Sequence, residues 1–230
     1  MISCPVCGTG NRELAVTCAS CHGFLQSKTD ALDLFSTVWN VIEGPARAFR
    51  TVALATHKNF VLFLASLFGM SWLFTALWVT DSGDRIRSLF VLILLGLIGG
   101  PPSGIILLMT VSGIILWLGR RLGGEATFRN TFAVMAYATV PLCLSLLFVL
   151  PVELGVFGHS LFGTMPPASA LKPMIYTILV GIQGATVLWF IALSVIAASV
   201  VHDLRPWKGA LLAGAALILL IGTTFLPALI

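Results

Sequence analysis

Charge is what this chain has least of. Only 10% of its 230 residues are Asp, Glu, Lys or Arg, against about 25% in ordinary soluble domains. Mean hydropathy is +1.02 and 58% of the residues are hydrophobic. A water-soluble globule is excluded, because too little polar surface exists to cover one. Residues 88–119 form an unbroken run of 32 without a charged side chain, and apolar stretches of about 20 residues span a bilayer as helices. The composition specifies an all-α polytopic membrane protein.

Other absences narrow the chemistry. The first 58 residues contain no apolar run flanked by a basic start and a small-residue cleavage site, so no cleavable signal peptide is expected and the first span acts as its own insertion signal. None of the expected spans carries an ionisable residue in its interior, which argues against proton- or sodium-coupled transport. No HExxH motif, paired carboxylates or serine–histidine pair lies within a span, so no enzyme is expected. Glu153 and His159 fall in a stretch, VELGVFGHSLFG, that reads as a solvated loop.

The spans are expected at 59–80, 131–152, 174–201 and 209–230, with the difficult region at 88–119. That region is interrupted by GGPPSG at 99–104 and is too short for two full crossings plus a turn. One reading is a short membrane-dipping helix over 89–98 followed by a span over 102–118. The other is a hairpin of two half-spans. With five spans and the N-terminus inside, ten of the thirteen Lys and Arg residues lie on the inner face: Arg12, Lys28, Arg47, Arg50, Lys58, Arg120, Arg121, Arg129, Arg205 and Lys208. Six crossings spoil that asymmetry. The bias of Lys and Arg toward cytoplasmic loops therefore selects five spans, a cytoplasmic N-terminus and a C-terminus on the other side.

What the chain does have is a concentration of cysteine at its start. Cys4-x2-Cys7 and Cys18-x2-Cys21 stand ten residues apart, and paired CxxC knuckles of this kind signal a metal site. Four thiolates aimed at one point give tetrahedral coordination, closed and therefore structural. Zn2+ is expected ahead of iron, which uses the same ligands. Disulfides are disfavoured on a cytoplasmic face. Gly8 and Gly23 supply the permissive backbone that tight knuckles need, and a module of this size depends on the metal to fold. His22 is expected to be a bystander, and Cys143 a small apolar residue within a span.

The chain thus divides into a zinc ribbon over 1–24, an amphipathic interfacial connector over 25–58 and a five-span domain over 59–230. In the connector Asp30 is the expected N-cap, and Leu32, Phe35, Val38, Trp39 and Ile42 recur at helical spacing. This stripe suits the lipid headgroup layer, with packing on the protein's own spans as the alternative. Gly209, Ala210, Ala213 and Gly214, and Gly181, Gln183 and Gly184, offer small surfaces for helix packing or self-association.

GGEATFRNTFAVMAYATVP (123–141) resembles the signature of the Yip domain family, the Ypt/Rab-interacting membrane proteins, through Gly123, Gly124, Phe128, Tyr137 and Pro141. EGPARAFRTVA (43–53) and HDLRPWKGALLAGAALILL (202–220) are similar to the segments before the first and last spans of prokaryotic members. The resemblance covers residues 40–230. It implies five spans and a cytoplasmic N-terminus, and in eukaryotic relatives an association with Rab-type GTPases and membrane trafficking. The Asp-Leu-Tyr-Gly-Pro stretch of those relatives is missing here. The expected protein is a bacterial or archaeal cytoplasmic-membrane member that organises membrane or partner proteins, with the ribbon as docking module. Movement of lipid or a small neutral solute is the alternative. Its partners are the bilayer, a protein at the cytoplasmic face and, through the spans, further copies of itself; no nucleic acid is expected.

Overall fold

A computed structural model describes residues 2–27 and 30–225. Lys28 and the last five residues of the expected final span lie outside the described residues. Five helices among those described are long and apolar enough to cross a membrane: Val61–Val79, Leu89–Arg121, Phe128–Phe162, Pro173–His202 and Pro206–Thr224.

The ribbon comes first, a two-stranded antiparallel hairpin of β1 (Ile2–Ser3) and β2 (Gly10–Asn11). Two short helices follow, α1 (Leu34–Glu43) and α2 (Pro45–Leu54). The N-cap of α1 is Asp33, whose carboxylate accepts from the Ser36 amide at 2.8 Å, and not Asp30. The reason is local: the Asp30 carbonyl accepts from the His57 amide and Ala31 bridges His57. That pairing holds the chain extended until Asp33. Gly44 ends α1, and Pro45 opens α2 where a missing amide costs nothing.

The two helices use their apolar faces differently. α2 turns Ala48, Phe49, Val52 and Ala53 into the protein, each large side chain contributing about 1.5–3 kcal/mol by burial. α1 leaves Phe35, Trp39 and Ile42 exposed along one side. Lys58 finishes α2 by donating to the carbonyls of Val52, Ala53 and Ala55 at 2.7–3.2 Å.

The first span is α3 (Val61–Val79). The uncharged region begins with α4 (Leu89–Leu94), passes through a π-helical stretch over Leu95–Gly99 and continues as α5 (Gly100–Arg121). No turn interrupts it at GGPPSG, so it crosses once. Those glycines are a packing device. A Cβ on Gly69 would sit 2.0 Å from the Gly100 carbonyl oxygen, and one on Gly104 would sit 2.3 Å from that of Ala65. Ala65 and Gly69 on α3 thus meet Gly100 and Gly104 on α5, a small-xxx-small pair on each helix. Between spans in lipid the hydrophobic effect gives little, and close backbone approach supplies the attraction.

The third crossing is built from α6 (Phe128–Ala138) and α7 (Val140–Phe157), separated by a break at Thr139 and extended by a 3-10 turn over Gly158–Phe162. After the short α8 (Ala168–Leu171), α9 (Pro173–His202) is the long fourth span and α10 (Pro206–Thr224) the fifth. α9 packs on α2, α6, α7 and α10, and α7 bridges α3 to α9. Gly209 lets α10 lie against Ser199 of α9, whereas a Cβ on Gly181, Gly184 or Gly214 would meet no other described residue within 4 Å.

Candidate metal centre and an intramembrane polar cluster

Both knuckles have the same construction. In the first, the Gly8 amide donates to the Cys4 carbonyl at 2.9 Å; in the second, the His22 amide donates to the Cys18 carbonyl at 3.1 Å. Each turn ends on a left-handed residue, Gly8 at φ +71° and His22 at φ +56°. The second position is therefore filled by His22 and not by Gly23. Histidine tolerates this region better than most residues, though less well than glycine. Its ring is no member of the cysteine group.

The four sulfurs lie within 4.8 Å of one another. Cys4 Sγ is 3.5 Å from Cys21 Sγ, and Cys7 Sγ is 3.6 Å from Cys18 Sγ. A tetrahedral ion bound at about 2.3 Å needs sulfur–sulfur edges of about 3.8 Å, so the set can hold a metal ion with small adjustment. The thiols are also electrostatically prepared. Amide donation from Cys21 and Ser20 pulls Cys18 down to about 6. Against the lowering effect of the Gly23 amide, the crowded Cys7 and Cys4 thiols push Cys21 up to about 12. Such a cluster ionises fully only when a cation shares its centre.

Asn11 ties the knuckles together. Its Nδ2 donates to the Thr9 carbonyl at 2.8 Å and to Cys18 Sγ at 3.5 Å, and its Oδ1 accepts from the Ala19 amide at 2.9 Å. No motif points to this residue; only the polar side chain's burial in the fold reveals it. The ribbon is clamped to the bundle by Arg12–Glu125 and by Arg50–Glu13 at 2.5 Å, with Leu14 packed against the main core.

A second polar group sits far from the ribbon, on α7 and α9. Ser145 Oγ donates to Gln183 Oε1 at 2.9 Å, and Gln183 Nε2 donates to Glu153 Oε2 at 3.3 Å. Glu153 is thus not in a solvated loop. Helix α7 continues past Pro151, which carries Glu153 into the protein at 6% exposure. His159 likewise bonds the Ile86 carbonyl at 2.9 Å. The expectation that no span holds an ionisable residue is corrected on the same ground, since Glu153 lies within the third crossing. The three side chains border a cavity of about 430 Å3 between α3, α7 and α9.

At the ribbon end, buried His202 fills the space left by two glycines. A Cβ on Gly119 or Gly124 would come within 2.4–2.6 Å of its ring. Gly123 adopts φ +92° and the Gly124 amide returns to the Gly119 carbonyl at 2.8 Å. The Tyr137 hydroxyl donates to the Asn59 carbonyl at 3.1 Å, tying α6 to the entry of α3. Phe128 stacks on Phe132, and Pro141 occupies the first turn of α7 beyond the break. The Yip1 domain model matches residues 39–226. The chain belongs to the Yip1 family. Gly124 is accounted for by packing on His202, Gly123 by its positive φ, Tyr137 by its bond to Asn59 and Pro141 by its place in a first helical turn; the cysteine knuckles precede the part that matches the Yip1 domain. No curated protein and no solved structure matches the chain.

Proposed function

We propose that this Yip1-family membrane protein is a non-enzymatic organiser whose zinc ribbon is a docking module on the cytoplasmic face. The carrying observation is the combination of a fixed base and an apolar top. The ribbon is held to the bundle by two ion pairs, yet leaves Val6 74% and Phe24 65% exposed. Both flank the second knuckle, so a closed metal site presents them rigidly and at low entropic cost to a partner.

Zn2+ held by Cys4, Cys7, Cys18 and Cys21 is structural in this reading, because four thiolates leave no open position. The connector over 25–58 lies in the headgroup layer through Phe35, Trp39 and Ile42 of α1. Exposed Trp117 beneath Arg121 and exposed Trp207 beside Lys208 suit the same layer. The excess of Lys and Arg at this end supports a cytoplasmic ribbon in a bacterial or archaeal membrane, and exposed Gly181 leaves room for a second copy.

The test is proximity labelling in cells of the source organism with the full chain and with Val6→Asp/Phe24→Asp. The expected result is a defined set of neighbours lost in the double variant, while metal content and membrane insertion stay unchanged. An identical neighbour set from both proteins overturns the docking role.

A further inference from the structure

The cavity between α3, α7 and α9 combines features that apolar packing does not require. A carboxylate nine-tenths buried stands at its wall, with Oε2 accepting from Gln183. Phe74, Trp78 and Phe162 line the same space. An ionisable group inside a span costs several kcal/mol unless something pairs with it, and among the described residues no cation of the chain does. Carboxylate and aromatic faces together are the chemistry that recognises an ammonium group, the first by charge-assisted hydrogen bonds and the second by cation–π attraction. The remaining lining is largely aliphatic, and about 430 Å3 is the size of a small-ligand site.

We propose that this cavity binds an ammonium group carried on an apolar body, with Glu153 as its counter-ion. Gln183 is a positioning residue. Anchored by Ser145 through its Oε1, it spends its amide N–H on one carboxylate oxygen and leaves the other directed at the ligand. The ammonium comes either from a phosphatidylethanolamine headgroup or from a free amphipathic amine. The inference does not depend on the ribbon or its docking role.

The experiment is binding of tritiated dodecylamine to the full chain in phosphatidylcholine nanodiscs, with empty discs as blank and dodecanol as the uncharged competitor. Saturable binding above the blank is expected, undisturbed by dodecanol and weakened about tenfold or more by Glu153→Gln, the worth of one charge-assisted hydrogen bond. Trp78→Leu, which keeps the carboxylate and its Gln183 partner, is expected to weaken binding several-fold. Discs containing phosphatidylethanolamine separate the sources: competition there identifies the lipid headgroup, and undiminished binding identifies the free amine. Absence of saturable binding, equal displacement by dodecanol, or unchanged affinity in both variants overturns the proposal.

Discussion

Replacing Asn11 with alanine tests whether the ribbon's metal site depends on a residue outside the coordination sphere. The substitution removes three hydrogen bonds, to the Thr9 carbonyl, to Cys18 Sγ and from the Ala19 amide. The bond to sulfur is the important one, since donation to a charged acceptor is worth about 1.5–3 kcal/mol against about 1 for a neutral pair. Water replaces part of this loss in a module with so much exposed surface. The net effect is about 1.4–2.8 kcal/mol, or about 10- to 100-fold in metal affinity, in line with other residues that support metal ligands. The affinity changes because folding of the ribbon and binding of the ion are one equilibrium. Competition with a chromophoric chelator on the full chain in detergent reads it directly. Asn11→Asp is expected to do more damage than alanine, because it places a negative charge beside a thiolate and removes both donors. An apparent affinity within about twofold of the parent for both variants, below the smallest expected loss, shows instead that Asn11 does not support the site.

Three further outcomes are expected. Gly104→Val drives a branched side chain into the Ala65 carbonyl and the Gly69 backbone. It should separate α3 from α5 and cost at least the 1–3 kcal/mol typical of overpacking, seen as a lowered melting temperature in detergent. Tyr137→Phe keeps the packing but leaves the Asn59 carbonyl without its donor, a loss of about 1 kcal/mol measurable by denaturant titration. Asp84 accepts from the Thr164 hydroxyl at 2.6 Å and amide at 2.9 Å, and these bonds hold its carboxyl below its usual 3.8. A depressed folded-state pKa means the latch is fully present above about pH 4 and is lost as pH falls through the folded value. Protease cleavage near Thr164 should therefore rise on acidification, and Asp84→Asn should show that sensitivity at neutral pH.

The parts legible in the sequence were those written in composition and period. Apolar length marks the spans, the Lys and Arg asymmetry sets their number at five, and the cysteine cluster follows from two CxxC pairs. The features that needed the fold depend on which side of a helix faces the protein. Glu153 lies in a stretch that reads as a solvated loop, yet the helix runs on past Pro151 and buries it. GGPPSG reads as an interruption, although prolines in a first helical turn are tolerated and the glycines seat α5 on α3. Asn11 carries no motif, and nothing in the 202–220 stretch singles out His202; their importance lies in what surrounds them. The connector shows the limit most plainly, since α1 and α2 are both amphipathic and only tertiary contacts reveal that α2 buries its stripe while α1 leaves its own exposed.

Whether a metal ion closes the ribbon at one end of this Yip1-family bundle is decided by X-ray absorption and metal analysis of the full chain purified without added metal. One zinc ion per chain with four sulfur neighbours at about 2.3 Å is expected, lost together in a Cys4→Ser/Cys18→Ser variant that still inserts into the membrane. A metal-free protein, or a zinc shell with fewer than four sulfurs, would contradict that expectation.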